Sequence, residues 1–223
     1  ILYQMPTGTG KTRLFTSIIR DINVWGLRHN IFFRILIVAH RSELIEQSSR
    51  SLSKYRIEHG VLAGTMKVMR DLTKPIQVAS IQTITHPANR SLINDLDFDF
   101  IIIDEAHHAV AHSYRQLWNF CSRVKKLGVT ASPWRMNNCG FANIFEAYIP
   151  SMPIKDFIEK GWLASYQYYS VPANSEVVQS INAIKEFDIE GDFKTSALVD
   201  AVDTSRIRAQ LYDSYAKYAF GKK

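Results

Sequence analysis

A doubly wound α/β domain, with a mostly parallel sheet and helices on both faces, is the fold class this sequence predicts. Three observations carry that prediction. Short apolar runs rich in β-branched residues recur through residue 130. Amphipathic stretches with helical spacing lie between them. The chemically distinctive residues follow the runs directly, where the carboxyl ends of parallel strands would place them, and ligands of such sheets bind at those ends.

Taken in order, Ile1–Gln4 reads as a first strand and Lys11–Trp25 as the helix after it. Ile35–Ala39 is a second strand, apolar at consecutive positions, as expected of a strand buried on both faces. Ser42–Tyr55 is the next helix, with Leu44, Ile45, Ser48 and Leu52 at helical spacing. Ser42 is its expected N-cap, with Ile45 and Glu46 in the first turn. Gln77–Ser80, Phe98–Ile103 and Leu127–Thr130 are three further strands. The character changes around Tyr166, dividing residues 1–166 from 167–223. Gln167–Pro172 looks like an extended segment leaving the first domain, Glu186–Asp192 is acidic, and Thr204–Phe220 is a last helix. No internal repeat or low-complexity tract is present.

The composition is that of a globular domain: 223 residues, 46% apolar and 22% charged. No run of about 18 uncharged apolar residues exists, so no membrane-spanning segment is expected and the setting is expected to be cytoplasmic. Cys121 and Cys139 lack a CxxC partner or metal-ligand spacing and read as reduced thiols. The opening Ile-Leu-Tyr-Gln starts inside a strand without a methionine, which suggests a missing front end. The net charge of +6 is uneven. Residues 1–135 hold 18 Lys/Arg against 10 Asp/Glu, whereas residues 136–223 hold 9 against 11. A basic first region fits a phosphate-rich partner such as nucleic acid.

The segment Met5-Pro6-Thr7-Gly8-Thr9-Gly10-Lys11-Thr12 follows a strand and opens a helix, the context that a phosphate-binding loop requires. Gly8 and Gly10 let the backbone wrap so that successive N–H groups face phosphate oxygens. The helix N-terminus adds partial positive charge there. Lys11 would reach the β- and γ-phosphates of ATP, and the Thr12 hydroxyl would ligate Mg2+. Met5 stands where the usual pattern has its first glycine. Asp104-Glu105-Ala106-His107 ends the strand Phe98–Ile103 and supplies the other half of a nucleotide-hydrolysing site. Asp104 would hold Mg2+, and Glu105 would orient the attacking water and accept its proton. His107, His108 and His112 do not read as a zinc site, because neither HExxH nor a third ligand accompanies them.

This set resembles superfamily 2 helicases, the bacterial type of the DEAD/DEAH-box (DExH) branch that includes type I and type III restriction-enzyme motor subunits. The resemblance rests on MPTGTGKT at 5–12, ILIVAHRSELIEQ at 35–47, VASIQT at 78–83, DEAH at 104–107 and Thr130-Ala131-Ser132. Ser132-Pro133-Trp134-Arg135 and FIEKGWLASYQYYSVP at 157–172 add to it. It implies a RecA-like P-loop domain over 1–166, with a connector and the start of a second RecA-like motor domain over 167–223. It implies that His107, Thr130 and Ser132 couple the γ-phosphate site to nucleic acid, and that Arg41, Gln82 and Thr83 lie near a sugar-phosphate backbone. Arg41 also reads as a solvated helix-start charge, and Gln82 and Thr83 as ordinary capping residues. The implied activity is an ATP hydrolase coupling hydrolysis to movement along, or unwinding of, nucleic acid, with DNA favoured. A restriction-modification motor subunit and an ATP-gated nucleic-acid-binding switch are the alternatives. The upstream adenine-reading glutamine and the later motif with the arginine finger are not in this stretch, which by itself is expected to turn over ATP poorly.

Overall fold

The computed structural model describes residues 1–64, 66, 69–89, 96–121, 124–132, 141, 143–167, 175–186, 193–202 and 205–221. The chain forms two compact units, Ile1–Ala164 and Ser165–Lys223. In the first, seven strands form one sheet: β1 Leu2–Gln4, β2 Ile35–Ala39, β3 Gly60–Leu62, β4 Ile76–Ser80, β5 Phe100–Asp104, β6 Lys125–Thr130 and β7 Tyr148–Ile149. Their order is β3-β4-β2-β5-β6-β1-β7, and every pairing is parallel. The predicted fold class is therefore the one observed.

Each strand feeds both faces by its period-2 alternation. Leu36, Val38, Ile101 and Ile103 pack in one core with Tyr114 and Leu117 of α4 (His112–Phe120) and Ile81 and Ile84 of α3 (Ile81–Thr85). Ile35, Ile37, Ala39 and Ile102 enter the other, against Phe15 and Ile19 of α1 (Lys11–His29) and Ile45 and Leu52 of α2 (Ser42–Lys54). At roughly 1.5–3 kcal/mol for each large apolar side chain removed from water, these two layers hold the sheet between its helices.

Where structure and sequence reading differ, local physics gives the reason. Helix α1 runs past Trp25 to His29, carrying Gly26 inside it; a Cβ there would lie 2.4 Å from the Ile31 carbonyl oxygen. Gly26 thus permits a close return of the chain instead of ending the helix. The helix stops at Asn30, whose left-handed backbone (φ 55°) sends its N–H to the Gly26 and Leu27 carbonyls. Ser42 is not the N-cap of α2. Arg41 takes that position in extended conformation, and Ser42 is the first helical residue. The strand expected at Phe98–Ile103 is Phe100–Asp104, so Asp104 itself pairs in the sheet, opposite Val129. Strands β3 and β7 are short edge strands. Ile154–Glu159 forms α5, with Phe157 buried.

In the second unit, Glu176–Asn182 (α6), Thr195–Val202 (α7) and Ser205–Tyr218 (α8) are helical. The Ser175 side chain caps α6 by accepting the Val178 N–H at 3.4 Å. The predicted last helix corresponds to α8. Tyr168–Pro172, most of the acidic stretch, Pro133 to Arg135 and Cys139 lie outside the described residues. Among the described residues, no helix is long and apolar enough to cross a membrane.

Candidate nucleotide-binding site

The site is built at the carboxyl ends of β1 and β5. Strand β1 lies beside β6, and the Met5 N–H donates to the Thr130 carbonyl at 2.9 Å, extending the ladder into the loop. The chain then turns through Pro6–Gly10. The Thr9 hydroxyl donates to the Pro6 carbonyl at 2.6 Å, which closes the turn on itself. Gly8 (φ 84°) and Gly10 (φ 94°) occupy the left-handed region, where any side chain would be strained. Gly10 is the N-cap of α1 and has no side chain to cap it. The first-turn N–H groups of a 19-residue helix are therefore left facing the loop.

On the neighbouring side, β5 delivers Asp104 and Glu105. Asp104 is 2% exposed, and its Oδ1 accepts the Glu105 N–H at 3.0 Å. Glu105 adopts a left-handed backbone (φ 51°), uncommon for a residue with a long side chain. That turn swings its carboxylate across to the loop. Lys11 Nζ lies 3.4 Å from Glu105 Oε1, and His107 Nδ1 lies 3.3 Å from Glu105 Oε2. His107 Nδ1 also reaches Thr130 Oγ1 at 3.0 Å. The Thr130 hydroxyl donates to the Ser132 carbonyl at 3.1 Å and accepts the Ser132 N–H at 3.2 Å. With its proton so committed, Thr130 receives a hydrogen bond from His107, which fixes the imidazole with its proton on Nδ1. One connected polar chain thus runs Lys11–Glu105–His107–Thr130–Ser132.

The two adjacent carboxyls are driven in opposite directions. Burial, and secondarily the charge of Glu105, pushes the Asp104 carboxyl up to about 6. The His107 hydrogen bond holds Glu105 down to about 2, with the Lys11 charge assisting and burial opposing. Separated roles follow. Glu105 is an anion throughout the neutral range, while Asp104 is a buried carboxylate short of a cation.

Lys11, Thr12, Asp104 and Glu105 line one cavity of about 560 Å3 together with Thr7, Gly8 and Gly10. Thr9 turns back on Pro6 and shapes the loop from behind. Arg13 also lines the cavity. The α2 residues Gln47, Arg50, Ser51 and Lys54 form its opposite wall, a part of the site that the sequence reading did not single out. Their signal was present: positions 47, 50, 51 and 54 form a polar stripe along one helix face. Gln47 Nε2 donates to Thr12 Oγ1 at 3.2 Å, and Thr16 Oγ1 lies 3.0 Å from Ser51 Oγ, so α2 is stitched to the first turns of α1.

Arg41, Gln82 and Thr83 stand apart from this cavity, at the carboxyl ends of the adjacent strands β2 and β4. Gln82 Nε2 donates to the His40 carbonyl at 3.1 Å and ties the two ends together. Arg41 and Gln82 are exposed. Thr83 has a structural job, since its N–H and hydroxyl both bond Ser80 Oγ in the cap of α3, at 3.0 and 2.8 Å. Among the described residues, no group of three or more His, Cys, Asp and Glu is arranged as a metal-holding cluster. Cys121 is a buried free thiol.

Against known proteins, a family model described as type III restriction enzyme, res subunit, matches residues 1–135. A 51.5 kDa protein of a Lactococcus phage (isolate 7-9) is 30% identical over the whole of this chain, which spans 42% of that protein. A Saccharomyces cerevisiae protein named as the ATP-dependent helicase IRC3 is 26% identical over 95% of this chain, which spans 31% of it. The crystal structure of the UvsW helicase from bacteriophage T4 superposes with a TM-score of 0.53 at 18% identity. That match covers 67% of this chain and 54% of the T4 protein, and it shows a shared fold.

Proposed function

Because the chain belongs to the type III restriction enzyme res subunit family, we propose that it carries the ATP-binding half of a superfamily 2 nucleic-acid motor, and that the full-length protein hydrolyses ATP to move along or unwind nucleic acid. In this reading residues 1–166 form the first motor domain, and residues 167–223 are the connector and the beginning of a second. One observation carries it: the Lys11 amine and the Asp104 and Glu105 carboxylates face a single cavity next to a glycine turn and an uncapped helix start.

The donor set fits a magnesium–triphosphate. Thr12 offers a hydroxyl and Asp104 a carboxylate, both hard oxygens of the kind that Mg2+ prefers. Lys11 and Arg13 on one wall, and Arg50 and Lys54 on the other, supply positive charge along the cavity. Bound Mg2+ would neutralise charge building on the phosphate oxygens. Thr7, Gly8, Thr9 and Gly10 hold the loop in a shape whose amides can surround phosphate. Glu105, ionised and oriented by His107, is placed to align a water and take its proton. Lys11 is its counterion here, so a triphosphate that draws Lys11 away would leave the carboxylate free to act. His107, Thr130 and Ser132 link that carboxylate to β6. Arg41 and Gln82, and the Ser80-capped turn that carries Thr83, lie outside that cavity and suit a sugar-phosphate backbone, with DNA favoured over RNA. Contacts of that type give affinity without sequence readout.

The test is the steady-state ATPase of the full-length protein with double-stranded DNA, single-stranded DNA and RNA added in turn. Stimulation by at least one is expected, and no response to any would sink the reading. The family match favours the motor subunit of a restriction-modification enzyme as the biological setting. An ATP-gated switch without turnover fits less well, because such a device has no use for a Glu105 held ionised beside the phosphate loop.

A further inference from the structure

We infer that His40 and His108 are positioning residues, which join the nucleic-acid-facing strand ends to the water-aligning carboxylate through a stack of three imidazoles. The inference rests on the motor reading and adds to it residues that are neither in the phosphate loop nor in the acidic pair. Strands β2 and β5 are hydrogen-bonded neighbours, so their carboxyl ends deliver His40 and the turn Ala106–His108 side by side. The His40 and His108 ring centroids lie 4.0 Å apart, and those of His107 and His108 lie 4.1 Å apart. His107 then bonds Glu105 and Thr130. At the other end, the His40 carbonyl accepts the Gln82 amide, and the chain continues into Arg41. A single packed path therefore leads from Gln82 and Arg41, through His40, His108 and His107, to Glu105.

Two details separate this stack from ordinary filling. Both ring nitrogens of His40 are buried without a hydrogen-bond partner, an arrangement that an apolar side chain of the same size would avoid. The ring is also held neutral: burial lowers its proton affinity, with Arg41 and His107 adding to the effect and Glu105 and Glu43 opposing it. A neutral imidazole between Arg41 and His107 can pack against His108 without repelling either one. A ring that is packed but not hydrogen-bonded can also slide when its strand end is pulled. Displacement at Arg41 or Gln82 would then be felt at His107, whose bond to Glu105 depends on the position of its ring.

The experiment uses the full-length protein with His40→Asn, His40→Phe and His108→Asn, and a duplex DNA oligonucleotide as ligand. Three quantities are read: the ratio of DNA-saturated to basal ATP turnover, the KM for ATP, and DNA affinity by fluorescence anisotropy. Removing the ring in His40→Asn should cut the stimulation ratio roughly tenfold, with KM and DNA affinity within about twofold of wild type. His40→Phe restores a ring and should recover most of the stimulation. Full stimulation in His40→Asn would overturn the inference, as would a folded His40→Phe as unresponsive as the Asn variant. Should His40→Asn prove too unstable to purify, His108→Asn interrupts the stack at its middle ring and carries the same expectation and the same contrary result. A stimulated wild type with unaltered variants defeats this inference alone. A wild type unresponsive to duplex DNA, single-stranded DNA and RNA alike defeats the motor reading with it.

Discussion

The two ends of the same parallel sheet have been put to opposite uses. At the carboxyl ends the strands hand over Lys11, Asp104, Glu105, His107 and Thr130, bonded to one another around a charged cavity. At the amino ends of β5 and β6, Trp25, Phe33 and Phe100 line a pocket of about 410 Å3 with Ile18 and Ile22, and Asp21, Asp99 and Lys125 also line it. Left-handed backbone occurs at both ends, at Gly8, Gly10 and Glu105 beside the charged cavity and at Asn30 and Asp97 near the apolar end, where Gly26 in addition permits a close approach. One edge spends stability on chemistry, and the other recovers it by packing.

The sharpest way to break this contrast is to remove charge from the carboxyl edge. Glu105→Gln should lower nucleic-acid-stimulated turnover by about 10²–10⁴-fold, the usual worth of a positioned proton acceptor, while nucleotide still binds. Turnover of the full-length variant, beside binding of a fluorescent ATP analogue, checks this. Trp25→Ala, at the other edge, should leave turnover within about threefold of wild type while lowering the melting temperature. Equal losses of turnover in the two variants would erase the distinction.

Asp104 sharpens the comparison in terms of stability. Its carboxyl is raised to about 6 in the fold from an ordinary 3.8. The stability it contributes is therefore fully present below about pH 4 and lost as pH rises through about 6. Asp104→Asn should accordingly stabilise the metal-free, nucleotide-free protein by about 1–3 kcal/mol at pH 7.5. Roughly half of that gain should remain at pH 5, where Asp104 is already protonated in the fold. Denaturant melts at the two pH values test the sign. A destabilised variant at pH 7.5 would show that burial does not set this carboxyl's state. The same variant should keep the protection from melting that ATP alone gives and lose the further increment that Mg2+ adds in the wild type.

Gly26→Ala probes the packed edge. The helical preference of alanine, about 1 kcal/mol, competes with a Cβ pressed against the Ile31 carbonyl, and overpacking of this kind costs about 1–3 kcal/mol. A net loss of about 1 kcal/mol is expected, read as a lower denaturation midpoint. The smallest effect belongs to Arg41. Arg41→Ala should weaken nucleic-acid binding a few-fold and reduce the slope of log affinity against log salt by about 1, with no change in sequence preference. An unchanged slope would assign Arg41 to the helix start alone.

Much of the carboxyl edge was legible because its chemistry is local in sequence. Two glycines and a lysine after a strand, and an acidic pair after another, carry their meaning within a few residues. The all-apolar β2 and the Phe-Ile-Ile-Ile run of β5 likewise announced a sheet covered on both faces. What escaped notice depends on distant neighbours. Gln47, Arg50 and Lys54 belong to the site only because α2 packs along α1 through Thr12, Thr16 and Ser51. Helix α1 was expected to end at Trp25, and its continuation through Gly26 depends on the return of Ile31 and Phe33, which is a tertiary fact. The ring stacking of His40 on His108 requires the β2–β5 pairing, which no local pattern specifies. Thr83 was legible both as a residue near the strand ends and as part of a helix cap, and its N–H does donate to the capping Ser80 Oγ.

Calorimetric titration of ATP into the full-length protein, with and without Mg2+, tests the central claim most directly when Lys11→Ala, Asp104→Asn and the double variant are compared. A shared cavity predicts that Lys11→Ala weakens binding in both conditions, that Asp104→Asn abolishes only the increment due to Mg2+, and that the two losses are not additive. Wild-type affinity and an intact Mg2+ increment in either single variant would contradict it.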